Sequence, residues 1–267
     1  MKAYLSVGKL QFTIGLQYRV AALAGLSTQF FFGFVYIMIF VAFYSQSSDA
    51  QPISLQNLVA YMWMQQAFLS FIALWFRDNT IFQMITTGNI AYEMCRPCNI
   101  YELWYAKLLA QRVSSALLRC FPIIIVAFFL PQPFRLILPP SPVNFLLFLV
   151  TMTLGVFVIV SISMLIYISV FWTMSPIGSI LMIAVAGEFF SGMIIPIPLM
   201  PTWLQNIVYI LPFRLTADFP FRVYSGQIPV DKALWGILIQ LVWLAALLVI
   251  GKLSMRKALQ QVVVQGG

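Results

Sequence analysis

The chain alternates long apolar runs with short polar interruptions, and the length of those runs is the first thing it discloses. A hydrocarbon core about 30 Å thick needs roughly 20 apolar residues per helical crossing. Runs of that kind fall at about residues 20–44, with the core "FFFGFVYIMIFVAFY", and at about 55–76, 108–130, 143–171, 177–195 and 233–251. The fourth is long enough to tilt. All are continuous, whereas the strands of a membrane barrel alternate apolar and polar residues. The pattern predicts an all-α, polytopic membrane protein with six transmembrane helices, forming one domain over residues 1–267 with no soluble module. The first run is too long and begins too far in for a cleaved leader, so it is expected to act as an uncleaved anchor.

Two stretches depart from this rhythm. Over residues 1–19, Lys2, Ser6, Lys9, Thr13 and Gln17 fall on one helical stripe and Ala3, Val7, Leu10, Ile14 and Tyr18 on the adjacent one. That partial amphipathy predicts a helix in the membrane interface, either a surface anchor or a lever joined to the first span. After the fifth run comes "SGMIIPIPLMPTWLQNIVYILPF", residues 191–213, in which Pro196, Pro198, Pro201 and Pro212 forbid a continuous helix.

Composition agrees with the pattern. Hydrophobic residues make up 62% of the chain and charged residues 8%, against about a quarter charged in soluble domains. Lys2, Lys9 and Arg19 precede the first run; Arg77, Arg96, Lys107 and Arg112 lie between the second and third; Lys252, Arg256 and Lys257 follow the sixth. The opposite side carries Arg135, Arg214, Arg222 and Lys232, and the loop after the first run has only Asp49. The excess of cations on one side predicts cytoplasmic termini and an external proline-rich segment. The net charge of +8 follows from this topology and from anionic lipid, the bilayer being the partner; nucleic acid is not implied.

Candidate chemistry is sparse. There is no histidine, which removes the commonest general base and metal ligand. No Gly-rich loop ends in Lys and Ser or Thr, so the chain is not expected to bind ATP. No metal site and no catalytic residue is expected. "CRPC", Cys95 to Cys98, has redox spacing but no strand feeding a helix and no second ligand pair, so it and Cys120 read as free thiols.

Three features remain. The segment 77–107, "RDNTIFQMITTGNIAYEMCRPCNIYELWYAK", mixes charges with Ile90, Tyr92, Met94, Tyr101 and Trp104, and is punctuated by Gly88 and Pro97. A bare connector needs none of those apolar residues, so docking of a soluble partner competes with the connector reading. Arg119 and Glu188 fall inside runs, where a charge costs about 3 kcal/mol. A direct pair is one arrangement; Arg119 snorkelling, with Glu188 protonated or facing a polar cavity, is the other. Gln65, Gln66 and Ser70 sit beside Tyr61, Trp63 and Phe68, and Ser27, Thr28 and Gln29 lie in the first run; they suit helix contacts or the wall of an amphipathic pathway.

The order of parts resembles the permease subunit of a bacterial type-2 ATP-binding-cassette (ABC) exporter. The carriers are Ser-Gly, an apolar pair and Pro, then Pro-x-Trp-Leu and Pro212-Phe213 in the broken segment, with Gly-Asn-Ile and Arg-Pro in the loop and Phe171-Trp172 closing the fourth run. The resemblance spans essentially the whole chain. It implies a loop over 77–107 that couples to cytoplasmic ATPase subunits through Gly88, Ile90, Tyr92, Glu93, Arg96 and Pro97. A pathway would be touched by Trp63, Gln66, Phe189 and Met193. An external gate over 191–230 would include Gly192, Pro196, Pro201, Trp203 and Pro212, with "PTWLQNIVYIL" a short helix between two prolines. Also implied are a second permease chain, a different one in this subgroup although a homodimer is open, no cofactor in this chain, and ATP with Mg on the ATPase. The setting is the bacterial inner membrane. The cargo would be a hydrophobic or amphipathic drug, antibiotic, small peptide or lipid. A secondary transporter is the main rival, but it would show repeated broken helices in both halves; a membrane enzyme lacks its catalytic pairs.

Overall fold

The computed structural model describes residues 2–17, 19–46 and 51–262. Tyr18, Asp49 and the tail from residue 263, on which some of the sequence expectations rest, lie outside the described residues. Among those described, the chain forms α1 (Lys2–Gln17), α2 (Arg19–Gln46), α3 (Leu55–Ala67), α4 (Leu69–Ile72), α5 (Asn79–Thr86), α6 (Ile90–Met94), α7 (Ile100–Phe129), α8 (Pro142–Thr173), α9 (Pro176–Phe190), α10 (Thr202–Ile210), α11 (Asp218–Tyr224) and α12 (Val230–Gln260). Starts follow local chemistry. Ser54, Asp78, Asn99 and Ser141 each accept an orphan amide of the first turn, and Pro142 and Pro176 sit where no amide is required.

Among the described residues four helices are long and apolar enough to cross a membrane: α2 from Ala22, α7, α8 and α12. The other two expected crossings come out differently. The second run is divided at Phe68, with φ −101° and ψ 14°, into α3 and α4. The fifth yields the 15-residue α9, about 22 Å at 1.5 Å per residue. No proline or glycine marks the division at Phe68. What stabilises the early stop of α4 is a distant side chain: Arg112 of α7 donates Nη1 to the carbonyls of Phe71 and Ala73, both at 2.8 Å, and Nη2 to Ser163 Oγ at 2.9 Å. Arg112 is therefore buried, 1% exposed, and not the flanking surface charge its position suggested.

α8 is the axis of the bundle. In its most apolar stretch 61% of residues are buried, against 22% for α2 and for α12, so the other helices wrap it. Small residues let backbones approach, as lipid-embedded packing requires: Gly155 of α8 meets the carbonyls of Leu215 and Thr216, and Gly236 of α12 meets the Phe219 ring. Gln240 donates to the carbonyls of Thr151 and Leu215, both at 2.9 Å.

Contacts define two ends. At the loop end, α1 lies along the first half of α7, with Tyr4 accepting from the Asn99 amide and Gly15 against Ser114. Leu5 and Leu10 of α1 stay exposed. Lys252 of α12 meets Glu102 at 3.0 Å there. At the cap end, the segment after α9 packs on the extended stretch before α8: Tyr224 donates to the Ile137 carbonyl at 3.0 Å, and Asn144 to that of Val223 at 3.1 Å.

Candidate functional site

At the loop end, α5 and α6 form a compact elbow turned by Gly88. Its φ of +76° belongs to the left-handed region that glycine tolerates. Ile90 is buried and Glu93 accepts from Trp104 Nε1 at 2.8 Å, with Arg96 at 3.8 Å. These two hold the elbow down. Tyr92, 75% exposed, faces outward together with Arg96 and Pro97. A groove of about 890 Å³ lies beside them, walled by Ile85, Gly88, Tyr92, Cys95, Phe171 and Met174.

The elbow is wired to the bundle by residues the sequence did not single out. Asp78, the cap of α5, accepts from the Thr80 amide at 2.8 Å and meets Lys107 Nζ at 2.7 Å. Its own amide donates to the Tyr167 hydroxyl at 2.6 Å, and the Tyr167 ring rests on Phe82 with centroids 4.5 Å apart. Burial pushes the Asp78 carboxyl up, but its bonds to Lys107 and Thr80 outweigh that and hold it below the usual carboxylate range. The elbow is thereby joined to α7 through Lys107 and to α8 through Tyr167.

In the bundle, Trp63 and Gln66 are buried, packing against Gly33 of α2, and Trp63 Nε1 donates to the Phe134 carbonyl at 2.7 Å. Phe189 is half-buried, and the Met193 carbonyl accepts from Gln65 Nε2 at 2.6 Å. Three of the four residues expected to touch a pathway, Trp63, Gln66 and Met193, are thus buried inside this subunit. Arg119 and Glu188 are not brought together. Arg119 occupies the slot left by the absent side chain of Gly25 on α2, and Glu188 lies beside the amides of Leu74 and Trp75 at the end of α4. Among the described residues no ion pair joins them, because α9 packs on α8 and on the turn at Phe213, with Leu74 against Gly187, rather than on α7. Cys95, Cys98 and Cys120 are free thiols.

The cap after α9 begins at Gly192, with φ +84°. Its carbonyl accepts from the Tyr61 hydroxyl at 3.0 Å, and a Cβ there would lie 2.6 Å from that hydroxyl. Pro196 opens a 3-10 turn over Ile197–Leu199, Pro201 precedes α10, and Pro212 opens a second 3-10 turn over Phe213–Thr216. Trp203 on α10 is 64% exposed. Beneath the cap Asp218 is fully buried. Its amide donates to the Ser191 carbonyl at 3.2 Å, and its carboxylate lies 3.6 Å from Arg222. Burial pushes its pKa up to about 6, against the pull of Arg222 and Arg214. The spacing of Asp218 and Arg222, one helical turn apart, was the available signal for this pair.

Among the described residues no group of three or more His, Cys, Asp and Glu is placed to hold a metal. No curated protein and no solved structure matches the chain. The protein-family model for the ABC-2 family transporter protein matches residues 30–266, nearly the whole length and both ends just described. With at least four apolar helices long enough to cross the bilayer, the chain belongs to the ABC-2 transporter family, as a multi-pass, non-catalytic membrane permease component whose ATP hydrolysis lies elsewhere.

Proposed function

We propose that the protein is one permease half of an exporter that moves a hydrophobic or amphipathic drug, antibiotic, small peptide or lipid, driven by ATPase subunits docked on the elbow of α5 and α6. In this reading α3 with α4 and the short α9 complete six crossings. The loop end and both termini face the cytoplasm, and residues 191–230 form an external re-entrant gate. A second permease chain, different from this one, covers the exposed apolar face of α9 carrying Leu181, Met182 and Val185. Trp63, Gln66, Phe189 and Met193 line or border the route, and ATP with Mg is held by the partner.

The observation that carries this reading is the elbow itself. It offers Tyr92, Arg96 and the adjoining groove to a partner while Asp78 fastens its base to α7 and α8. ATP-driven closure of the partners would move it, and the helices would follow. Since coupling between sites is reciprocal, cargo would in turn alter nucleotide affinity.

The test is the pair Tyr92→Ala with Arg96→Ala in the assembled transporter. Cargo-stimulated ATP hydrolysis is expected to fall by about tenfold or more, equivalent to about 1.4 kcal/mol of lost coupling, with the permease still folded. Unchanged stimulation and unchanged retention of the ATPase would overturn the assignment.

A further inference from the structure

A second cavity lies at the other end of the molecule. The first turn of α12 meets α10 and α11 around a space of about 490 Å³. One wall is cationic, with Arg214, Arg222 and Lys232; the other is apolar, with Phe219, Trp235 and Ile239.

The cations are only partly answered. Arg222 reaches the Asp218 carboxylate at 3.6 Å and the Tyr209 hydroxyl at 3.4 Å, and its Nε is buried with no partner. Arg214 lies over the Tyr209 ring at 4.7 Å and donates Nε to the Tyr209 carbonyl at 3.3 Å; among the described residues it makes no ion pair, and it shares the field of Asp218 with Arg222. Lys232 is exposed and has no ion pair among the described residues. Asp231, the neighbouring acid, is exposed and does not line the cavity. Three cations therefore converge where one carboxylate, already engaged, stands behind them.

Clustered like charges beside apolar walls are costly unless an anion joins them. Guanidinium and ammonium groups together suit a phosphate: the guanidinium fork matches its oxygens and the ammonium adds a point charge. The apolar wall continues along α12 as an uncovered stripe, with Trp235, Leu238 and Val242 exposed. Trp at such a position marks the membrane interface. A ligand that satisfies both walls carries a phosphate at the rim and hydrocarbon down the helix.

We propose that this cavity binds the phosphate headgroup of an anionic phospholipid, with Arg214, Arg222 and Lys232 on the phosphate and the acyl chains along α12. The site would hold the cap in register with the leaflet at that end. It rests on α12 crossing the bilayer, as the proposed function has it, but not on ATPase docking, so lipid retention and ATPase assembly are read separately.

The full chain, reconstituted with phosphatidylglycerol and phosphatidylcholine and then taken into mild detergent, is analysed for bound lipid by native mass spectrometry. Phosphatidylglycerol is expected to be retained over phosphatidylcholine. Arg214→Gln and Lys232→Gln are each expected to lower that retention about fivefold, the effect of about 1 kcal/mol per cation. Lys232→Arg should keep it, as should Arg135→Gln, a cation over the Phe128 ring outside the cavity. Equal retention of the two lipids, or no change in either glutamine variant, would overturn the site. If inorganic phosphate binds in an Arg214-dependent way while phosphatidylglycerol is not retained, the phosphate chemistry stands and the lipid source is overturned.

Discussion

Asp78 and Asp218 mark the two ends of the molecule, and they answer burial in opposite ways. Asp78, at the loop end, has a lysine at 2.7 Å and two donors from Thr80, and its carboxyl is held below the ordinary range. Asp218, at the cap end, is fully buried with its arginine at 3.6 Å and neither carboxylate oxygen hydrogen-bonded, and it rises to about 6. The difference lies first in depth of burial, which is complete at Asp218, and then in hydrogen bonding and distance, since both acids have a cationic neighbour. A buried carboxylate with close donors makes a fixed joint; one with a distant counter-charge is near the balance between charged and neutral forms. The loop end is thus built on a fixed joint, and the cap end on a contact whose strength depends on protonation.

Four substitutions would break or sharpen this contrast. The largest effect is expected from Arg112→Ala, which strips the buried partner from the carbonyls of Phe71 and Ala73 behind the loop-end joint. A loss of about 4 kcal/mol is expected in denaturant unfolding in detergent. A loss near zero would show that α4 stops for another reason.

Asp218 comes next. Its folded pKa of about 6 lies above the ordinary carboxylate value of 3.8, so the folded state binds protons more tightly. Its stabilising contribution is complete below about 4 and is lost as pH rises through about 6, on the order of 3 kcal/mol in all. Hydrogen exchange of residues 191–198 should accordingly show weaker intrinsic protection at pH 7.5 than at pH 5, and Asp218→Asn should flatten that dependence. A wild-type profile identical to that of the variant would remove the contrast between the two ends.

Gly192→Ala places a Cβ against the Tyr61 hydroxyl at a positive φ, and about 2 kcal/mol of destabilisation is expected, read as a lower unfolding midpoint. The smallest effect is Lys107→Met. Asp78 keeps both Thr80 donors, so about 1 kcal/mol is expected, with elbow mobility, measured by spin-label spectroscopy at Tyr92→Cys, increasing more than global stability falls.

Much of this was legible from local pattern. The apolar runs found α2, α7, α8 and α12, and the prolines bracketed α10, which occupies Thr202–Ile210 between Pro201 and Pro212. The elbow fell in a segment whose apolar residues left connector and docking surface both open, with Gly88 at its turn. The division at Phe68 was not visible, because "QQAFLSFIALWF" contains no helix breaker and the stop is stabilised from another helix. Arg112 read as a flanking charge for the same reason: its partners are 39 and 41 residues away. For Arg119 and Glu188 the sequence left a direct pair and two separate environments both open, because depth carries no information about which helix faces which.

The sequence by itself determined that the chain is helical, that it lives in a bilayer, and where its helix breakers fall, because hydrophobic run length and proline act through neighbours along the chain. Tertiary structure alone decided which buried polar group answers which: Arg112 for the end of α4, Lys107 for Asp78, Tyr61 for Gly192. An orphan carbonyl or carboxylate in a low-dielectric interior must be met by whatever donor the packing brings within about 3 Å, and sequence separation does not enter that requirement.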